Sequence, residues 1–262
     1  MKITLLTSNK KRHNYFINLL SEICDNLFVI QEDSNIQSKT TLHNYKSSSI
    51  VDRYFESVNN AQSRIFGKTT SYNFKKKVNI MNIPYGNLNT TSFKSLSNYL
   101  KSDVYIVFGS SYIKGELADF LIYKKTINIH AGVSPYYRGT DCNFWALYDE
   151  NPHLVGTTIH LLSKGLDNGP VLYHAMSNIK TNPHEYTMST IKSAFHSVVE
   201  RIKDGSIFKI KPASHDKNKE IRYSKRNEFN ENIVQRYFEK EIDLDCKKFE
   251  KSLLKDPFFL EK

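Results

Sequence analysis

Short apolar runs of strand length recur between segments whose apolar residues follow the helical period, and this alternation constrains the fold more than any other feature of the chain. Ile3 to Leu6 reads as a buried strand, followed over Lys10 to Ile23 by a helix with Tyr15, Phe16, Leu19, Leu20 and Ile23 on one face. Leu27 to Ile30 is a second strand. A polar loop from Ser34 to Ser48 precedes a helix over Ile50 to Phe66 carried by Val51, Tyr54, Phe55, Val58 and Ala61. Val78 to Ile83 reads as a strand ended by Pro84, Ser92 to Leu100 as a helix, Val104 to Phe108 as a strand, Lys114 to Leu121 as a short helix and Thr126 to His130 as a further strand. Strands separated by helices imply an α/β fold with a doubly wound, mostly parallel sheet and right-handed crossovers. Ligands in such sheets sit beyond the carboxyl ends of the strands, so the loops after Leu6, Phe108 and His130 are expected on one rim.

The second half changes character. Thr157 to Leu162 and Val171 to Ile179 read as strands joined through a turn at Asp167, Tyr186 to Ile202 as a long amphipathic helix, and Ile207 to Ile210 as a short strand. The charged remainder carries helical patterns at Glu231 to Lys240 and Cys246 to Leu254. The expected organisation is a main domain over 1–206 and a small mixed extension over 207–262. No apolar run approaches the length of a membrane span, and the first residues lack a signal-peptide pattern, which makes the cytoplasm the expected compartment. The cysteines Cys24, Cys142 and Cys246 are far apart and form no Cys-X-X-Cys pair, so neither a disulfide framework nor a zinc site is expected. A net charge of +10 favours an anionic partner: a nucleotide, a phosphorylated or carboxylated small molecule, or nucleic acid.

The most specific local pattern lies at Ile127-Asn128-Ile129-His130-Ala131-Gly132. Side chains alternate along a strand, so Asn128 and His130 share one face, an amide donor beside a titratable imidazole. Asp167, within Gly165-Leu166-Asp167-Asn168-Gly169-Pro170, is the carboxylate that completes a trio once a strand pair brings it near. Taken alone, Asp167 also reads as an ordinary turn residue. His153, His160 and His174 lack metal-ligand spacing, and no metal is expected. Trp145, with Phe144 and Leu147, reads as a core-facing helix turn. Ser8, Asn9, Lys10 and Arg12 follow the first strand and open a helix, where N–H groups and adjacent cations favour phosphate; a plain basic turn fits them equally well.

Asn128 to Gly139, Val155-Gly156-Thr157-Thr158-Ile159-His160 and Leu166-Asp167-Asn168-Gly169-Pro170-Val171, in this order, resemble the formyltransferases that use 10-formyltetrahydrofolate. The resemblance is sharp over about 103–175 and weak beyond about 206. It implies a Rossmann-like sheet of the formyltransferase type, 10-formyltetrahydrofolate as co-substrate, and direct transfer without a covalent enzyme intermediate. It implies Asn128, His130 and Asp167 as the catalytic trio. It also implies a folate site built from Phe108, Gly109, Ser110, Tyr112 and Ile113 together with Ser163, Gly165 and Leu166, mostly through backbone groups. The chemistry suits these residue types. An amine attacking a formamide carbon develops negative charge on oxygen and positive charge on nitrogen; Asn128 can hold the first, His130 can take the proton of the second, and Asp167 can orient the imidazole.

The acceptor amine is set elsewhere. The tail and the doubled Tyr136-Tyr137, beside an Arg138 that is either a ligand fork or an organiser of its loop, suggest by analogy an amino sugar carried on a nucleoside diphosphate, of the kind built into O-antigens and other surface glycans. Ser8, Asn9, Lys10, Arg12, Tyr136, Tyr137 and Arg138 are the expected substrate contacts. Glycinamide ribonucleotide and methionyl-tRNA are the alternative acceptors, although the tail is short for a transfer-RNA enzyme. A basic nucleic-acid-binding module, using Lys209, Lys211, Lys217, Lys219, Arg222, Lys225 and Arg226, is the non-enzymatic alternative and is less favoured. No membrane partner is expected, and a homodimer is left open.

Overall fold

In the computed structural model, which describes residues 1–33, 48–67, 77–214 and 216–244, the alternation becomes a seven-stranded sheet. Its strands are β1 (Lys2–Ser8), β2 (Asn26–Asp33), β3 (Lys77–Pro84), β4 (Val104–Phe108), β5 (Ile127–His130), β7 (Thr157–Leu161) and β8 (Val171–Ala175), in spatial order β3-β2-β1-β4-β5-β7-β8. The first five pair in parallel, and β7 and β8 continue the sheet antiparallel. Pro84 ends β3 at the sheet edge, where its missing N–H leaves no inner ladder unpaired.

Alternation along the strands splits the core into two layers. Ile3, Leu5, Val29, Ile106, Phe108, Ile127 and Ile129 face α1 (Lys11–Ile23) and the long α6 (Pro183–Lys203), whereas Leu6, Ile30, Tyr105 and Val107 face α4 (Gly115–Tyr123). Phe195 of α6 stacks on Phe16 of α1 with ring centroids 4.3 Å apart and meets Phe108 edge-on at 4.8 Å. A third cluster joins α2 (Ser49–Phe66), α5 (Cys142–Tyr148) and α7 (Glu231–Glu239) through Tyr54, Phe144, Trp145, Phe229 and Tyr237. Trp145 is therefore a core residue, with the Arg222 guanidinium over its ring at 4.2 Å.

Several elements differ from the sequence-based expectation. Ser92 to Leu100 forms one helical turn, α3 (Phe93–Leu96), and then a 3-10 turn over Ser97–Leu100. Its serines compete for local backbone groups, as when the Ser97 hydroxyl donates to the Lys94 carbonyl. Ile207 to Ile210 is not a strand. Gly205 turns left-handed with φ 75° after α6, and a 3-10 turn over Ser206–Lys209 folds Ile207 into the core. The strand begun at Val171 stops at Ala175, short of Ile179. An unexpected two-stranded parallel sheet pairs β6 (Tyr137–Gly139) with β9 (Arg222–Ser224). The expected loop at Ser34 to Ser48 lies outside the described residues except for Ser48, whose side chain caps α2, and the expected helix at Cys246 to Leu254 lies wholly outside them. Among the described residues no helix is long and apolar enough to cross a membrane.

Because Phe195 ties both helices of one layer to β4, Phe195→Ala is expected to cost about 3–5 kcal/mol. Denaturant unfolding should show a lowered midpoint with an unchanged m-value.

Candidate active site

The ends of β1, β4 and β5 lie on one rim, and a cavity of about 390 Å³ opens there. Asn128 and His130 line it from β5, and Asp167 lines it from the β7–β8 connection. The placement of Asp167 follows from strand pairing. β7 runs antiparallel to β5 from Thr158 opposite His130 to Leu161 opposite Ile127, so it ends beside the start of β5 and the connection to β8 folds back to set Asp167 against His130. Asp167 itself takes a left-handed backbone with φ 47°, and its carboxylate lies 3.3 Å from Nδ1 of His130. Nε2 of the same ring faces the Tyr137 carbonyl at 3.4 Å.

Burial decides the charge state of this pair. Loss of water lowers the pKa of His130 below its ordinary 6.5, and the nearby Asp167 charge only partly restores it. Burial acts on Asp167 in the opposite sense, yet the His130 and His160 rings and the Gly139 backbone hold its carboxyl below the usual 3.8. A carboxylate beside a neutral imidazole is therefore the resting state at neutral pH.

His160, considered from the sequence only as a metal ligand, belongs to this arrangement. Its Nδ1 donates to the Leu161 carbonyl at 2.9 Å, which leaves Nε2 to accept from the Asn128 amide at 2.9 Å. One N–H of Asn128 is thus held in place and the other is left for the cavity. The register opposite Asn128 is the signal that could have found His160, and it depends on knowing which strands pair.

The two loops expected to take a cofactor form facing walls. Gly109, Ser110, Tyr112 and Ile113 line one and Ser163, Gly165 and Leu166 the other, and the Tyr112 hydroxyl donates across to the Lys164 carbonyl at 2.7 Å. Gly109 has φ 64°, and a Cβ there would come 2.5 Å from Cε1 of His13. Phe108 differs from expectation in its side chain. The ring is buried against Phe16 and Phe195, and its carbonyl accepts from Thr7, so only its backbone reaches the wall. Glu32, fully buried at the end of β2, was not singled out from the sequence; it accepts the Gly86 N–H, the Ser111 N–H and the Ser111 hydroxyl and so pins this loop.

The expected substrate contacts divide. Arg12 lines the cavity and donates to Gln62, and Lys10 lies exposed beside it. Ser8 is buried, its N–H donating to His13 and its carbonyl accepting from Gln31, and the Asn9 amide donates to Asp33; neither lines the cavity. Tyr136 and Tyr137 do not line the cavity. Both rings are buried in the third core cluster, with the Tyr137 hydroxyl accepting from Asn151 at 2.8 Å. Their apolar bodies fill the space between α5 and the β6–β9 pair. Arg138 organises structure: it pairs with Glu220 at 2.6 Å, donates to the Leu166 carbonyl at 2.9 Å and lies over Tyr223. Among the described residues no group of three or more His, Cys, Asp or Glu is placed to hold a metal ion.

Comparison with known proteins places this geometry. Residues 88–202, which span β4 to β8 and nearly all of α6, match the model of the formyl transferase family. Similar solved structures include a phosphoribosylglycinamide formyltransferase from Anaplasma phagocytophilum, 16% identical over 87% of this chain and 96% of that one, with a TM-score of 0.51. Glycinamide ribonucleotide transformylase 1 from Symbiobacterium toebii is 14% identical over 82% of this chain and 94% of its own, also with a TM-score of 0.51. An N-formyltransferase from Helicobacter canadensis, solved with folinic acid and dTDP-3-aminofucose, is 12% identical over 88% of this chain and 73% of that one, with a TM-score of 0.51. At these identities the likeness is one of fold. Residues 88–202 thus match the formyl transferase family model, and the chain as a whole shares the fold of these structures.

Proposed function

We propose that this protein is an N-formyltransferase that moves the formyl group of 10-formyltetrahydrofolate to the amine of a sugar carried on a nucleoside diphosphate, with Asn128, His130 and Asp167 as its catalytic residues. The observation that carries this reading is the neutral His130 held against the Asp167 carboxylate beside a fixed Asn128, in a cavity with a cationic mouth. The facing walls at Gly109 to Ile113 and Ser163 to Leu166 suit a flat ring system bound through backbone groups, which fits a folate. The Helicobacter canadensis relative, solved with folinic acid and an amino-sugar nucleotide, supports the same pairing of substrates.

The residues divide the work by charge. Asn128 presents its free N–H to the formyl oxygen as that atom becomes negative, a contribution of about 3 kcal/mol when such a donor is preorganised. His130, neutral at rest, accepts the proton that the attacking nitrogen sheds as the new C–N bond forms. The resulting imidazolium lies against the Asp167 carboxylate, which offsets the cost of a buried charge. The proton is then returned to the folate nitrogen as its bond to the formyl carbon breaks, so bonds and protons balance.

Two outcomes follow. His130→Asn and Asp167→Asn should fold but lose transfer, by about 100-fold to 10,000-fold for the histidine, as is usual for a general base; mass detection of an added formyl group on a panel of 3-amino and 4-amino nucleotide sugars reads this, and turnover retained in both variants rejects the assignment. The pH profile of kcat/KM should have an acid limb below 6.5, since protonation of His130 removes the base. Asp167→Asn removes an influence that raises the His130 pKa, so any residual activity should show that limb displaced to still lower pH.

A further inference from the structure

The cavity mouth carries two arginines from separate parts of the chain. Arg12, at the start of α1, lines it, and Arg226, from the segment after β9, lines it together with Tyr85. Arg226 is exposed but sits on a firmly held stretch of chain. Two residues before it, the buried Ser224 hydroxyl donates to the carbonyls of Arg138 and Thr140, and the Thr140 N–H returns to the Ser224 carbonyl at 3.1 Å. Three residues after it, Phe229 is buried with Tyr54, Phe55 and Phe144. Between these anchors Glu228 accepts the Lys225 N–H at 3.0 Å, and Arg226 donates to the Tyr85 hydroxyl at 3.4 Å. An arginine carried in this way keeps its position over the mouth without first losing the freedom of a loose tail.

Arg12 is equally fixed. One end of its guanidinium donates to Gln62 at 2.7 Å, while its Nε is buried and has no protein partner. Lys10 stands close to both arginines. Arg12 and Arg226 both repel its amine, with Asp141 opposing them. A bound anion would relieve that repulsion.

We propose that Arg226 and Arg12, with Lys10 near both, together hold the two phosphoryl groups of a nucleoside diphosphate, so that Arg226 makes the enzyme select a diphosphate-linked acceptor over a phosphate monoester. The inference rests on the acceptor class proposed above and assigns the residue that enforces it. Two guanidinium groups at one mouth can each take one of two linked phosphoryl groups, whereas a monoester offers only one. Guanidinium forks suit phosphoryl oxygens in geometry as well as charge.

The test is calorimetric titration of the full chain, without folate, with UDP, dTDP, inorganic pyrophosphate, UMP and inorganic phosphate. The wild type should bind the diphosphates about 10-fold or more tighter than the monophosphates, one charge-assisted contact being worth about that factor. Arg226→Ala should remove most of that preference, with monophosphate affinity changed by less than about 2-fold, and Arg226→Lys should recover part of it. An unaltered melting midpoint in Arg226→Ala would exclude misfolding, and in the transfer assay the variant should raise the acceptor KM more than it lowers kcat. Equal binding of UDP and pyrophosphate by the wild type and Arg226→Ala, or no diphosphate preference in the wild type, overturns the proposal. Arg226-dependent diphosphate binding without formyl transfer to any amino-sugar nucleotide would sustain the grip and reject the acceptor.

Discussion

Everything at the rim depends on the antiparallel pairing of β7 with β5. A further parallel strand would have needed a crossover connection before it. Running back along β5 instead, β7 sets His160 beside Asn128, and the connection that follows folds back to bring Asp167 against His130. Strand pairing and this folded-back connection together assemble an oriented amide, a neutral imidazole and a carboxylate in a single cavity. The buried setting then sets their protonation, since loss of water keeps His130 neutral while the imidazole rings and a backbone donor keep Asp167 ionised.

Residues 222–229 pack directly into this arrangement. β9 pairs with β6, and the Ser224 carbonyl would lie only 2.0 Å from a Cβ at position 139, where the backbone has φ 95°. Gly139 thus serves a close approach of two chain segments in a left-handed conformation that most residues resist. Beside it, Arg138 links the wall at Leu166 to Glu220, and Arg222 meets Asp149 through two donors at 2.9 Å. The same contacts that close the third core cluster therefore also carry Arg226 to the mouth of the cavity.

Much of this fold is legible in local periodicity. The order of strands and helices up to α6 follows from apolar spacing, and the shared face of Asn128 and His130 follows from alternation along a strand. The departures from that pattern share a cause. At Ser97 and Gly205 short-range hydrogen bonding and a left-handed turn outweigh apolar pattern. At Tyr136 and Tyr137 polar-tipped rings beside a site motif suggest ligand contacts, while packing against α5 and the 221–229 segment claims both rings for the core.

The sequence by itself determined the sheet class, the rim at which the cavity opens and the amide and imidazole placed there, because each of these follows from spacing within a few residues. Only the tertiary structure decided that His160 orients Asn128, that Arg138 braces a wall and that Arg226 reaches the cavity. Those outcomes depend on partners 32, 82 and 141 residues apart, brought together by strand pairing and core closure that no local pattern encodes.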